Sequence, residues 1–374
     1  MNDVYAYLKW RGDLSFERDP LNEADHLVFS MLSYVNMDDL DSEGKTLQEI
    51  FAEYSEKKID QSRDTLDPSG VLEQCAKTCR YQNVTVSGYT NSIDDCVRRQ
   101  FCAMIFHYLP DEAYVAFRGT DSTFTGWRED FNMSAVSVWP GQLAALAYVD
   151  RNLKGDISYV FGGHSKGGNL AQFAAMYCRE EVRKRIRRIV SLDGPGFRPE
   201  IAGTDEFLAT AAKTIHFLPE QSVIGLLLEN PVSEIVVDCS KSLLDQHDPY
   251  TWQIEGCRFI RAEKLSAISV FIKETVDLWL CGLSDEERLD FINLIFDSIS
   301  ASGAKRINEF ADHPFTNSAS ILTALSKADK ATQSQAYAVI GKLAQASTGT
   351  IWNRIRQAVS EIFEKEDRED DHAE

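Results

Sequence analysis

The apolar residues between positions 84 and 239 fall into short runs, and segments with helical spacing lie before and between several of them. The runs are four to eight residues long, which is the length of a buried strand. They cover residues 84–87, 101–108, 113–117, 156–161, 189–192, 213–218 and 233–239. Helical spacing covers residues 19–33, 141–152 and 169–177. This alternation predicts an α/β fold with a mostly parallel central sheet and flanking helices.

From about residue 264 to about residue 363 the pattern predicts successive helices. Residues 266–280 are apolar at helical spacing, and a capping box at 284–287 (Ser-Asp-Glu-Glu) opens another helix. We divide the chain into an α/β domain with a helical entry segment (1–263), a C-terminal helical extension (264–363) and an acidic tail expected to be disordered (364–374). The extension could be a lid, a partner-binding bundle or a stabilising buttress, and we favour the buttress.

Composition excludes several classes of function. A chain of 374 residues with 44% hydrophobic residues can bury a large core, and its net charge of −19 argues against nucleic acid as a partner. No apolar run is long enough for a transmembrane segment, and the first thirty residues lack the pattern of a secretory signal. The eight cysteines are scattered, which favours reduced thiols. We therefore expect a cytoplasmic protein, and the sequence leaves its oligomeric state open.

The most informative segment is a GxSxG motif, Gly163-His164-Ser165-Lys166-Gly167. It lies between the strand-like run 156–161 and the helix-like run 169–177, which is the setting of a nucleophile elbow. A serine at such a sharp turn has a strained backbone, so Gly163 and Gly167 provide the room that the crowded chain needs. We expect Ser165 to be the nucleophile of a serine hydrolase.

The partner histidine of such a serine follows it in the chain, and His247 is the best candidate. It lies in a loop directly after the strand-like run 233–239, whereas His216 lies inside a strand-like run and is expected to be packed. The acid is a choice between Asp193, at the end of run 189–192, and Glu220, after run 213–218. We favour Asp193, because a short carboxylate in a tight turn has fewer free rotors.

An oxyanion hole needs two donors near the nucleophile. One should be the backbone N–H of Lys166, the residue after Ser165. The other should come from the loop after run 113–117, where Gly119 lets the backbone approach closely and Thr120 offers its amide and a hydroxyl.

Five segments carry a family resemblance. They are LKWRGDLSFERDPLNEAD (8–25), FRGTD (117–121), GGHSKGGNLA (162–171), SLDGPGF (191–197) and QHDPYTW (246–252). Over roughly residues 5–260 they resemble the Mbeg1-like proteins, a bacterial family related to the class 3 lipases. The resemblance implies an α/β-hydrolase fold, with Ser165 at the nucleophile position, His247 at the base and Thr120 at the oxyanion position. Lys166 departs from the apolar residue usual in class 3 lipases.

These features favour a serine esterase or lipase-like enzyme with an acyl-enzyme intermediate. Its substrate would be a small acyl ester or a lipid, and neither a metal nor a cofactor is required. Two alternatives use the same residues or the same fold: a thioesterase or peptidase, and a non-catalytic interaction protein on a hydrolase fold. Ser, carboxylate and His candidates in the expected chain order argue against the non-catalytic alternative.

Overall fold

A sheet of seven strands forms the centre of the protein. The computed structural model describes residues 2–57, 59, 66–94, 96–97, 99–120, 124–290 and 292–293. The strands are β1 (Thr85–Asp94), β2 (Arg99–Leu109), β3 (Glu112–Phe117), β4 (Ser158–His164), β5 (Ile186–Leu192), β6 (Thr214–Pro219) and β7 (Ser233–Val237). Their order in the sheet follows the sequence; β1 to β3 pair antiparallel and β3 to β7 pair parallel. The predicted mostly parallel sheet is confirmed.

Helices cover both faces of this sheet. They are α1 (Val4–Arg11), α2 (Glu23–Leu32), α3 (Leu47–Lys57), α4 (Ser69–Ala76), α5 (Phe124–Asn132), α6 (Pro140–Asn152), α7 (Lys166–Tyr177), α8 (Glu180–Arg183), α9 (Pro199–Ala202), α10 (Asp205–Ala211) and α11 (Ala267–Gly282). Successive strand residues point to opposite faces, so Met104 and Phe106 pack with α1 to α4, while Ala103 and Ile105 pack with α6 and α7. This layering is the predicted α/β-hydrolase fold.

The ends of the helices follow local chemistry. The entry helix begins at Glu23 rather than at residue 19, because a capping box forms there. The Asn22 side chain caps the first turn, and the backbone N–H of Asn22 donates to the Asp25 carboxylate at 2.8 Å. The helix after the GxSxG motif begins at Lys166 rather than at 169, because the turn at Ser165 leads directly into it.

The helix predicted over residues 266–280 is observed as α11, and the predicted capping box forms after it. In this box Ser284 N donates to Glu287 Oε2 at 2.8 Å, and Glu287 N donates to Ser284 Oγ at 3.2 Å. The segment before α11 contacts the end of β6, because Ser266 N donates to the carbonyl of Glu220 at 2.8 Å. The predicted helices beyond residue 293 and the acidic tail 364–374 lie outside the described residues. None of the helices in the described ranges combines the length and the apolar character needed to cross a membrane.

Candidate active site

Ser165 occupies the sharp turn between β4 and α7. Its φ of 56° and ψ of −133° lie outside the regions favoured by L-residues, a strain of roughly 1–3 kcal/mol. A Cβ on Gly163 or on Gly167 would overlap the carbonyl oxygen of Phe117, so both positions require glycine. The strain is held by the sheet, since Ser165 N donates to Leu192 O at 2.9 Å.

The side chains of Ser165, His247 and Asp193 form a hydrogen-bonded series. His247 Nε2 lies 3.0 Å from Ser165 Oγ, and His247 Nδ1 donates to Asp193 Oδ2 at 2.6 Å. Because Nδ1 carries the proton that faces the carboxylate, Nε2 of the neutral ring is left to accept the serine proton. The structure therefore brings together the three residues that the sequence predicted to meet.

Asp193 is fixed and stays ionised. It is fully buried at the end of β5, with a φ of 49°, and its Oδ1 accepts hydrogen bonds from Ser222 Oγ at 2.5 Å and from Gly225 N at 3.0 Å. Burial by itself raises the pKa of Asp193, but the hydrogen bonds that its carboxylate accepts, that from His247 first, outweigh burial, and the net pKa is lowered.

The competing residues lie elsewhere. Glu220 follows β6 and its backbone carbonyl binds the start of the C-terminal extension, while the carboxylate against His247 belongs to Asp193. His216 is packed inside β6 as predicted, and burial lowers its pKa to about 4. His313 and His372, the two other histidines that follow Ser165 in the sequence, lie outside the described residues.

His164, the residue before the nucleophile, holds the His247 loop. Burial lowers the pKa of His164 to about 3, so the ring is neutral. Its Nε2 faces the carbonyl oxygen of His247 at 2.8 Å and must donate, which leaves Nδ1 to accept from the Tyr34 hydroxyl at 3.0 Å. Sequence reasoning missed both roles. The place of His164 within the motif was a usable signal, but nothing in the sequence links Tyr34 to it.

The predicted oxyanion donors lie beside Ser165. Lys166 N belongs to the first turn of α7, and the loop carrying Thr120 runs so close that a Cβ on Gly119 would meet both His164 O and Ser165 Cβ. The Thr120 hydroxyl donates its proton to Asp130 Oδ2. Since a hydroxyl has one proton, the backbone amide is the group that Thr120 can offer to an oxyanion.

A cavity of about 400 Å³ opens next to Ser165 and His247. Apolar atoms make up most of its lining surface. The lining residues with wholly apolar side chains are Leu66, Phe131, Met133, Pro195, Ile224, Leu227, Leu228 and Val276. Val276 belongs to α11, so the C-terminal extension forms part of the wall. Among the described residues there is no cluster of three or more His, Cys, Asp or Glu side chains that could hold a metal ion.

Comparison with known proteins identifies one family. The family model of the Mbeg1-like proteins matches residues 75–297, which is over half of the chain. No curated protein matches the sequence.

Solved structures of lipases match at low similarity. A fungal lipase in complex with an inhibitor is 16% identical, with a TM-score of 0.37 over 57% of this chain and 79% of that chain. The lipase of Rhizomucor miehei with its propeptide is 14% identical, with a TM-score of 0.38 over 63% and 81%. M37 lipase is 16% identical, with a TM-score of 0.35 over 54% and 68%.

Proposed function

The chain belongs to the Mbeg1-like family, and from the arrangement of its Ser165, His247 and Asp193 we propose that it is a serine hydrolase that cleaves carboxylic esters. The observation that carries the proposal is the series of hydrogen bonds from Asp193 Oδ2 through the imidazole to Ser165 Oγ, with distances of 2.6 and 3.0 Å. A nucleophile, a base and an orienting acid within hydrogen-bond reach are what acyl transfer to serine requires.

The reaction would proceed in two halves. His247 Nε2 takes the proton of Ser165 Oγ as that oxygen attacks the ester carbonyl, and Asp193 stabilises the imidazolium that results. The negative oxygen of the tetrahedral intermediate accepts hydrogen bonds from the amides of Lys166 and Thr120. The imidazolium then protonates the departing alkoxide, leaving an acyl group on Ser165.

In the second half, water attacks the acyl-enzyme. His247 accepts a proton from the water, the same amides hold the oxyanion, and the proton is returned to Ser165 Oγ as the carboxylic acid leaves. These steps need no metal and no cofactor. Because the cavity next to Ser165 is largely apolar, we propose that it holds the acyl chain of a small ester or a lipid.

Ester hydrolysis by the wild type and by Ser165→Ala tests the proposal. We expect the wild type to hydrolyse p-nitrophenyl butyrate or octanoate, and the alanine variant to lose at least about 10³-fold in kcat with a nearly unchanged melting temperature. His247→Ala should lose a similar factor, because nucleophile and base act as a unit. Equal turnover in wild type and Ser165→Ala would contradict the proposal.

A further inference from the structure

The side chain of Lys166 is a buried cation directly behind the nucleophile. Its side chain is 1% exposed, and Nζ donates to Gln100 Oε1 at 2.5 Å and to Glu129 Oε2 at 3.1 Å. Asp130 Oδ1 lies 3.7 Å from the same nitrogen. The residue that offers its amide to the oxyanion thus also forms an ion pair with two consecutive acids of α5.

The two acids connect to different parts of the protein. Glu129 Oε1 accepts from Gly141 N at 3.0 Å and Glu129 Oε2 from Gln100 N at 3.2 Å, so this carboxylate is fixed to α6 and β2. Asp130 Oδ2 accepts the proton of the Thr120 hydroxyl. A continuous path of contacts therefore joins the two predicted oxyanion donors. It runs along the Lys166 side chain to its ammonium, across the ion pair to Asp130, and through a hydrogen bond to Thr120.

We propose that Lys166 is a positioning residue for the oxyanion hole. Its ammonium fixes Asp130 and, through Asp130, the loop that carries Thr120. The proposal rests on the proposed esterase function. Its consequence is that both amide donors are in place before the substrate binds, and preorganised donors are the ones that stabilise a developing oxyanion most.

The path to Thr120 is what separates this role from a structural ion pair. Pairing with Glu129 would by itself compensate the buried ammonium, because one carboxylate and the Gln100 side chain already contact it. Asp130 is less buried than Glu129, at 21% against 1% exposed, and its second oxygen faces Thr120 rather than the lysine. Loss of Asp130 should therefore affect the rate more than the fold.

Two variants break the path at different points. Asp130→Ala cuts the link to Thr120 and leaves the pair of Lys166 and Glu129 intact. Lys166→Met combined with Glu129→Gln removes the ammonium together with the carboxylate that would otherwise remain buried and unpaired. The matched control is Arg80→Met combined with Asp25→Asn. This double variant removes another fully buried ion pair, in which Arg80 Nη2 lies 2.5 Å from Asp25 Oδ2. Neither residue lines the cavity.

Each protein is assayed with p-nitrophenyl butyrate for kcat and KM, with a trifluoromethyl ketone for binding of a tetrahedral adduct, and by thermal unfolding. We expect both site variants to lose about 10- to 100-fold in kcat with KM changed less than about threefold, and to bind the ketone more weakly by a similar factor. Combining all three substitutions should add little, since they break one path. The control should keep wild-type kcat.

A wild-type kcat in Asp130→Ala, or an equal loss of kcat in the Arg80 and Asp25 control, would overturn the inference. If the Lys166 variant does not fold, Asp130→Ala decides alone. An active wild type with unaffected variants refutes only this inference. An inactive wild type refutes the proposed function, and the inference falls with it.

Discussion

Two buried ionic clusters in this protein differ in what surrounds them. In the N-terminal cluster, Asp25 accepts hydrogen bonds from Arg80 at 2.8 and 2.5 Å, from the Tyr7 hydroxyl at 2.8 Å and from the Tyr81 hydroxyl. Arg80 donates further to backbone carbonyls. The second cluster, that of Lys166 with Glu129 and Asp130, lies against the nucleophile and reaches the cavity wall.

The contrast shows that a buried charge does not by itself mark an active site. Both clusters are well paired, but only the second adjoins strained backbone and an open cavity. Three non-glycine residues in the described ranges have a positive φ, namely Ser165, Asp193 and Leu228, and each lines the cavity or contacts His247. Backbone strain that the surrounding structure maintains beside a cavity supports a functional role for the second cluster, and the first cluster offers no such sign.

The largest expected effect is a loss of kcat caused by a substitution in the candidate active site. Asp193→Asn should lower kcat by about 10³- to 10⁴-fold, because the amide cannot hold the imidazole tautomer or stabilise the imidazolium. Glu220→Gln is the matched control and should leave kcat near that of the wild type. Steady-state assays with p-nitrophenyl butyrate decide between them, and the reverse ranking would assign the acid to Glu220.

In the N-terminal cluster the effect should fall on stability. Arg80→Met leaves the Asp25 carboxylate buried without its cation and should lower the free energy of unfolding by about 3–5 kcal/mol. Urea unfolding measures this loss, and kcat per folded molecule should not change. A fall in kcat at full folding would remove the contrast between the two clusters.

Acid should destabilise both regions. Burial lowers the pKa of His26 and of His164 to about 3 and that of His216 to about 4, from an ordinary value of 6.5. Below pH 6.5 the unfolded chain therefore binds protons that the folded protein excludes, and stability falls as the pH falls toward those folded values. Each histidine should cost roughly 1.4 kcal/mol per pH unit in that window.

Urea unfolding between pH 7 and pH 5 checks this expectation. His26→Asn should reduce the slope of the free energy of unfolding against pH by the contribution of one histidine. It should leave kcat at pH 7 unchanged. A stability that stays constant or rises on acidification would contradict the buried neutral state of these rings.

The smallest effect concerns the charge of the substrate. Asp130, Asp245 and Asp248 lie in the cavity wall, and the Lys166 ammonium there is already paired. We expect an anionic acyl group, as in p-nitrophenyl hemisuccinate, to raise KM about tenfold relative to the uncharged butyrate. Asp245→Asn should narrow that difference, and an equal KM for the two esters would show that these carboxylates do not act on the substrate.

Local pattern was enough to predict much of the fold. The seven apolar runs became β1 to β7, and the spacing around residues 141–152 became α6, because burial and helical periodicity are properties of short segments. Most strand ends shifted by three residues or fewer. The exception is β1, which ends seven residues later than predicted, at Asp94, because β2 pairs with it that far. The division of the chain into an α/β domain and a C-terminal helical extension at residue 263 stays a prediction.

The site was only partly predictable. The motif around Ser165 and the loop of His247 carried local signals, and their catalytic roles stay proposals. The choice between Asp193 and Glu220 depended on which strand end lies nearest to the imidazole, which is a long-range property. The contacts of Tyr34 with His164 also join distant segments, and no local pattern records them.

Labelling with a fluorophosphonate probe tests the central claim, that His247 activates Ser165, most directly. The intact wild-type protein should gain one probe adduct, which peptide mapping should place on Ser165. His247→Ala should be labelled far more slowly, and Ser165→Ala not at all. No adduct on the folded wild type, or an adduct that persists in Ser165→Ala, would contradict the account.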